Sequence, residues 1–240
     1  MNRTRIWPVL LWAGLGIAVL IGLGTWQLFR LAEKRALLAE IDLRTAAAPI
    51  SLLEALNHAG KGEDIEFVSV KTRGAFDHSS ERKKLATFDG SPGWQIITPF
   101  KSDEGIVALV DRGIVPGDLQ DAAKRPEIAG PIEITAVVRK HNSGQGFFDP
   151  ENDMEGNIWY WWDIPAMLSS VTIATDMKVA PFILQALPGD DPKKFPRAGK
   201  PETQLSNNHL QYAMTWFSLA FVLLVISGLF VRKLVKRSDA

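Results

Sequence analysis

Two long runs without a single charge constrain this chain more than any other feature. Ile6 to Phe29 reads IWPVLLWAGLGIAVLIGLGTWQLF, and Leu210 to Val231 reads LQYAMTWFSLAFVLLVISGLFV; they hold 24 and 22 residues. A helix rises about 1.5 Å per residue and the hydrocarbon core of a bilayer is about 30 Å thick, so each run can cross one. A cleavable signal peptide has an apolar core of about 7–15 residues and then a small-x-small site. The first run is longer and ends in Arg30-Leu-Ala-Glu-Lys-Arg35, so a retained anchor is expected. No Arg-rich, Ser-rich transit peptide precedes it, which favours a bacterial chain. The expected organisation is a transmembrane helix over 6–29, an outer domain over 30–208, a second transmembrane helix over 209–231 and a basic tail over 232–240.

The flanks set the orientation. Arg3 and Arg5 precede the first run, and Arg232, Lys233, Lys236 and Arg237 follow the second. Basic residues in short tails stay on the cytoplasmic side, so both termini are expected inside and the domain outside, in a periplasmic-type space. Arg30, Lys34 and Arg35 oppose this, but the short C-terminal tail outweighs them. Six of the 27 basic residues lie in the tails, and of the 27 acidic residues only Asp239 does. The domain therefore keeps 21 basic and 26 acidic residues, a mild solubilising charge of −5 that names no partner.

The domain is long enough for a real core. Glu66–Phe76, Lys84–Phe88, Trp94–Phe100, Ile106–Arg112, Ile132–Arg139, Ile158–Asp163 and Pro181–Leu187 read as strands separated by Gly, Pro, Asp and Asn. Short helices are predicted over Ala32–Leu43, continuing the first span, over Leu52–His58 after Ser51, and over Ile164–Ser170 after Asp163. Strands outnumber helices. The fold class predicted is a membrane protein with two transmembrane α-helices flanking a mainly-β (α+β) domain, its sheet antiparallel or closed into a barrel. Pro188–Asn208 is polar and turn-rich and reads as a linker back to the membrane.

Much chemistry is excluded. The chain has no Cys, hence no disulfide, no thiolate metal site, no C-x-x-C pair and no covalent haem attachment. A zero net charge argues against nucleic acid as partner. His58, His78 and His141 are scattered, and no G-x-S-x-G elbow occurs. The Gly-rich tract His141–Gly146 lacks the G-K-[ST] of a phosphate loop and reads as a turn. Asp149, Glu151, Asp153 and Glu155 alternate like a calcium loop, but Met154 stands where its turn Gly belongs and Tyr160 where its last Glu belongs. The run Trp159-Tyr-Trp-Trp162 reads as core, with aromatics at the membrane boundary as the alternative.

One ionisable residue needs explaining. His209 opens the second span on its outer side, and a 100° step per residue puts His209, Tyr212, Ala213, Trp216 and Ala220 on one stripe. Such a stripe could seat a flat aromatic ligand, with a neutral imidazole at the helix start free to bind iron. An interfacial His above a helix–helix stripe is the plainer reading. At the same membrane face, Ala18, Gly22 and Trp26 form a small-residue stripe suited to packing on another helix. Arg30 could snorkel to headgroups or pair with a carboxylate such as a haem propionate.

Taken in order, these residues resemble the surfeit locus protein 1 family of cytochrome c oxidase assembly factors, over nearly the whole chain. Gly24-Thr-Trp-Gln-Leu-Phe-Arg30 is similar to the family's G-x-W-Q-x-x-R, and Arg73-Gly-Ala-Phe-Asp-His78 to its R-G-x-F-x-H. Gly93–Pro99, Val110-Asp-Arg-Gly-Ile-Val-Pro116 and Phe148–Asp163 resemble further family segments. The most specific match is Asn207-Asn-His-Leu-Gln-Tyr-Ala-Met-Thr-Trp-Phe217, similar to N-x-H-L-Q-Y-A-x-T-W-F. Asp111 replaces the family's Asn, Ile114 its Trp, and Ala32-Glu33 stands where an aromatic precedes the Lys.

The resemblance implies a non-enzymatic assembly factor of the bacterial inner membrane that holds haem a and passes it to oxidase subunit I. It implies His209 as ligand to the haem iron, and the residue reading adds Tyr212 and Trp216 as walls of the site and Arg30 as a propionate clamp. Subunit I, other assembly factors and the lipid bilayer would be its partners. The rival from another class is a cofactor-free structural chaperone that grips an assembly intermediate; a membrane enzyme with a site in the barrel is the third. Without Cys, any haem here is held non-covalently, and a part in the haem side of assembly fits better than copper delivery through thiolates.

Overall fold

The computed structural model describes residues 3–141, 144–169, 171–188, 194–199 and 208–236, with the side chains of residues 3–6 outside that set. Asn142 and Ser143 of the Gly-rich tract, most of the linker, Asn207, Arg237 and Asp239 lie outside the described residues. The chain forms two compact units, Met1–Glu40 with Gln204–Ala240, and Ile41–Thr203.

The first unit consists of two helices. Helix α1 is continuous over Arg3–Ala46, and α4 spans His209–Lys236. Both are long and apolar enough to cross a membrane. Pro8 lies in the second turn of α1, where its missing N–H leaves the Thr4 carbonyl without its helical partner. The helices run antiparallel, since Gly16 meets Leu223, Gly24 meets Phe217 and Gln27 meets His209. The outward residues stay apolar, among them Leu11, Trp12, Phe221 and Leu229, all more than 60% exposed. A water-soluble fold would hide them; a bilayer solvates them.

The second unit is built on an eight-stranded sheet. Its strands are β1 (Ile50–Ser51), β2 (Ser69–Phe76), β3 (Arg82–Phe88), β4 (Ser91–Ser102), β5 (Ile106–Pro116), β6 (Ile132–Arg139), β7 (Ile158–Trp159) and β8 (Lys178–Ala186), in the order β1-β2-β6-β8-β5-β4-β3-β7. A further pairing of β2 with β4 closes β2, β6, β8, β5 and β4 into a barrel. The closure is tight. A Cβ on Gly74 would lie 2.2 Å from the Lys101 carbonyl oxygen, so only Gly fits where the strands meet. The long β4 serves both β3 and β2, with a register shift between Ile96 and Ile97 that lets it turn the corner.

Alternation then fixes two cores. Ile106, Ala108 and Val110 of β5 join Phe100, Phe182 and the buried face of helix α2 (Leu52–Gly60). Val107 and Leu109 point the other way, onto Trp159, Met167 and the short helix α3 (Ile164–Leu168). Ser51 caps α2 by accepting from the Glu54 N–H, and Asp163 caps α3 by accepting from Ala166. Arg44, in the last turn of α1, donates to Asp64 at 2.8 Å and to the Glu66 carbonyl at 3.1 Å.

The mainly-β domain between two apolar helices matches the expectation, and Ile132–Arg139 is a strand at the predicted bounds. Four details differ. β5 and β8 pair in parallel. Residues 66–68 do not join β2, because Phe67 adopts a left-handed φ of 63° under the Arg139 guanidinium. The strand expected over 158–163 stops at Trp159, because the Asn152 side-chain oxygen takes the N–H groups of Tyr160 and Trp161. Part of the expected linker pairs with the barrel, Arg197 and Ile114 exchanging both backbone hydrogen bonds at 2.9 Å.

Candidate functional site

The site expected around His209 is built where α1 and α4 pack against each other. A Cβ on Gly24 would stand 2.8 Å from the Phe217 ring, so the missing side chain lets that ring lie on the α1 backbone. One turn further along α1, the side-chain oxygen of Gln27 lies 2.7 Å from His209 Nδ1. An amide oxygen can only accept, so the imidazole donates through Nδ1–H. In the neutral imidazole this bond selects the Nδ1–H tautomer, whose lone pair is on Nε2. Ligands to metal ions are prepared in this way, one ring nitrogen held and the other free to bind.

His209 is half-buried and lines a recess of about 350 Å³ together with Arg30, Glu33, Lys34 and Leu37. Arg30 donates to Glu33 at 2.9 Å, and its guanidinium carbon lies 5.8 Å from the Trp26 ring centroid. That pair is solvent-accessible and of adjacent turns, so it holds Arg30 only weakly. The recess thus combines one imidazole, two cations, one carboxylate and one apolar wall.

The predicted site residues divide. His209 and Arg30 share the recess. Trp216 is half-buried on α4, and Tyr212 is 54% exposed; neither lines the recess. Ala213 and Ala220 are buried on the α4 stripe that carries His209. On α1 the expected stripe Ala18, Gly22 and Trp26 is exposed, and a Cβ on Gly22 would meet nothing. The packing face is instead Gly16, Leu20, Gly24 and Gln27, rotated by roughly 160° from it at 100° per residue. Choosing small residues alone misplaced it, since α1 has glycines on both faces. Gln27, Lys34 and Leu37 were not foreseen. The signal for Gln27 lay in the run Trp26-Gln-Leu-Phe-Arg30, where positions three apart share a helix face.

The sequence model of the SURF1 family matches residues 15–221, which include both halves of this site. A SURF1-like protein of Monosiga brevicollis is 32% identical over 245 residues, covering 95% of this chain and 90% of its own. Surfeit locus protein 1 of Xenopus tropicalis is 33% identical, covering 88% of this chain and 72% of its own. The human surfeit locus protein 1 is 32% identical, covering 83% and 69%. The chain belongs to the SURF1 family.

In this SURF1 chain the barrel's other candidates serve the fold. No group of three or more His, Asp or Glu able to hold a metal occurs among the described residues. Asp149 accepts from the Gly146 N–H at 2.9 Å and Asp153 from the Gly156 N–H at 2.8 Å, so both close turns. Trp159 is core, and Trp162 packs on the same cluster and stacks on His141 at 4.3 Å. Burial, with Arg139 and Lys84 nearby, pulls the His141 pKa down to about 4. His58 pairs with Glu63 and Glu54. Asp111 is fully buried, accepts from Gln95 at 2.7 Å and from the Gly113 N–H at 2.9 Å, and has its pKa raised by burial.

Proposed function

We propose that this SURF1 protein is a cytochrome c oxidase assembly factor that binds haem a non-covalently as cargo and helps insert it into oxidase subunit I. The observation that carries the reading is the Gln27–His209 hydrogen bond at 2.7 Å, which engages Nδ1 and would leave Nε2 of the neutral ring to ligate iron. Haem a supplies an iron with open axial positions and two anionic propionates. The residues lining the recess fit it: His209 for the iron, Arg30 and Lys34 for propionate charge, Leu37 for apolar contact. Tyr212 and Trp216 stand on the same helix within two turns of His209 and would flank the cargo from that side. No bond of the cargo is made or broken, so the role is that of a carrier and not of an enzyme.

The setting is the inner membrane of a bacterial cell. Both termini are cytoplasmic and the barrel is periplasmic, a reading supported by Arg232, Lys233 and Lys236 at the end of α4. Subunit I and other assembly factors are the partners this reading implies.

The test is purification after co-production with a haem a pathway, beside His209→Ala. The wild type is expected to carry haem a and the variant to lose most of it. Equal haem in both removes His209 as ligand, and no haem in either favours the cofactor-free structural chaperone.

A further inference from the structure

The barrel domain has a cavity of its own, about 480 Å³, lined by His78, Glu81, Arg112, Arg125 and Glu127 with Ala122, Ala123 and Pro126 at its edge. Two guanidinium groups, Arg112 and Arg125, are buried here around the buried Glu81 carboxylate, and Arg82 is buried next to it in the chain; each of the four is no more than 9% exposed. Burying a charge is costly unless it is paired and hydrogen-bonded, so the pairing of each cation matters.

Two of the three have structural work. Arg82 donates from Nε to the Met167 carbonyl at 3.1 Å and from Nη1 to the Glu81 carbonyl at 3.3 Å, tying β3 to α3. Arg125 grips the Glu81 carboxylate with both terminal nitrogens, leaving its buried Nε–H without a partner among the described residues. Arg112 is served least. Its sole carboxylate among the described residues is Glu81, shared with Arg125 and 4.0 Å away, and its closest polar contact is His78 Nδ1 at 3.5 Å.

The neighbours hold Arg112 in a defined attitude. The Phe76 ring lies 4.9 Å from its guanidinium carbon, a cation–π contact that leaves the N–H donors for polar partners. His78 Nε2 lies 3.1 Å from the Ile128 carbonyl oxygen, which can only accept. The His78 proton is therefore on Nε2, and neutral Nδ1 turns its lone pair to Arg112. Glu127 is exposed at the rim, where water screens its charge. The buried part of the cavity keeps a positive excess.

We propose that this cavity binds a small oxyanion, a carboxylate or phosphate group, through the N–H edge of Arg112 with Arg125 beside it. A planar guanidinium held over an aromatic ring, its polar contacts only His78 Nδ1 at 3.5 Å and Glu81 at 4.0 Å, is shaped for bidentate contact with two oxygens. The site lies wholly within the barrel domain and does not depend on the haem reading.

The experiment uses the full chain in detergent, titrated calorimetrically with inorganic phosphate and separately with succinate, each against chloride at equal ionic strength. At least one of the two is expected to bind at a single saturable site. Arg112→Gln should weaken it at least tenfold, and Arg112→Lys, which keeps the charge but loses the fork, several-fold; His209→Ala should leave it unchanged. Bound anion should also raise the melting temperature of the wild type and not of Arg112→Gln, because a ligand of the folded state alone stabilises it. Arg112→Gln in chloride should melt no lower than the wild type, since it removes an under-paired buried charge. The proposal is overturned if neither anion binds beyond the chloride control, or if wild type and Arg112→Lys bind equally.

Discussion

His209 and Gln27, 182 positions apart in the chain, are joined by a 2.7 Å hydrogen bond between Nδ1 and the amide oxygen. The bond orients the imidazole ring, so under the proposed haem reading it would act through the ligand. Loss of such a partner costs about 10- to 100-fold in metal affinity. Gln27→Leu should weaken haem a binding by that factor, read by titration of the purified protein. Gln27→Glu should keep the affinity and lower the haem midpoint potential, because a carboxylate acceptor makes the imidazole a stronger donor. Unchanged affinity in Gln27→Leu would leave the bond a mere packing contact.

The contact of Gly24 with Phe217 sets the spacing that lets Gln27 reach His209. A Leu at position 24 has to push α4 away, whereas Ala needs only a swing of the ring tip. The chain has no Cys, so an introduced pair reports cleanly. Gly16→Cys with Leu223→Cys should oxidise to a disulfide readily, the Gly16 position and the Leu223 side chain being in contact. Adding Gly24→Leu should cut the cross-linked fraction by more than half, and Gly24→Ala by much less.

His141 should make the barrel sensitive to mild acid. Its pKa falls to about 4 in the folded state through burial, Arg139 and Lys84, from the 6.5 of a free imidazole. A base whose pKa is depressed by folding gives stability that is full above the unfolded value and is lost as pH falls through the folded one. Unfolding should therefore become easier between pH 6.5 and 4, by about 1–2 kcal/mol after solvent screening. His141→Phe keeps the stacking on Trp162 and should flatten that part of the melting-temperature profile.

Asp111 predicts the opposite slope. Burial raises its pKa, so stability is present while it stays protonated and is lost as pH rises through the folded value. Asn fits the same place, its oxygen accepting from the Gly113 N–H and its NH₂ donating to a turned Gln95 amide. Asp111→Asn should melt higher than the wild type at pH 8, by an increment that shrinks toward pH 4. A variant that melts lower at both would show that the carboxylate is needed as an anion.

Much of this architecture is legible in residue patterns. The uncharged runs are set by the cost of charge in hydrocarbon, and β5 opens on an unbroken apolar run, Ile106–Val110, because both of its faces are buried. Ser51 and Asp163 announced their helices because a cap is a local bond. Barrel closure was less legible, since it depends on Gly74 meeting Lys101 across 27 positions. So was the α1 packing face, where glycines on both sides make sequence periodicity ambiguous. The recess was half legible: Arg30 and His209 stand out as polar residues ending apolar runs, while Gln27 is uncharged and shows its part only across the helix pair. The cavity around Arg112 draws on the 78–81 segment, β5 and the 122–127 segment, and no spacing in the chain announces it.

Ligation of haem iron by His209 is tested most directly by removing the imidazole and supplying it from solution. His209→Gly, loaded with haem a and titrated with free imidazole, should lose the wild-type absorption spectrum and regain it saturably, as the small ligand fills the place of the side chain. A His209→Gly protein that keeps the wild-type spectrum before any imidazole is added would contradict the account.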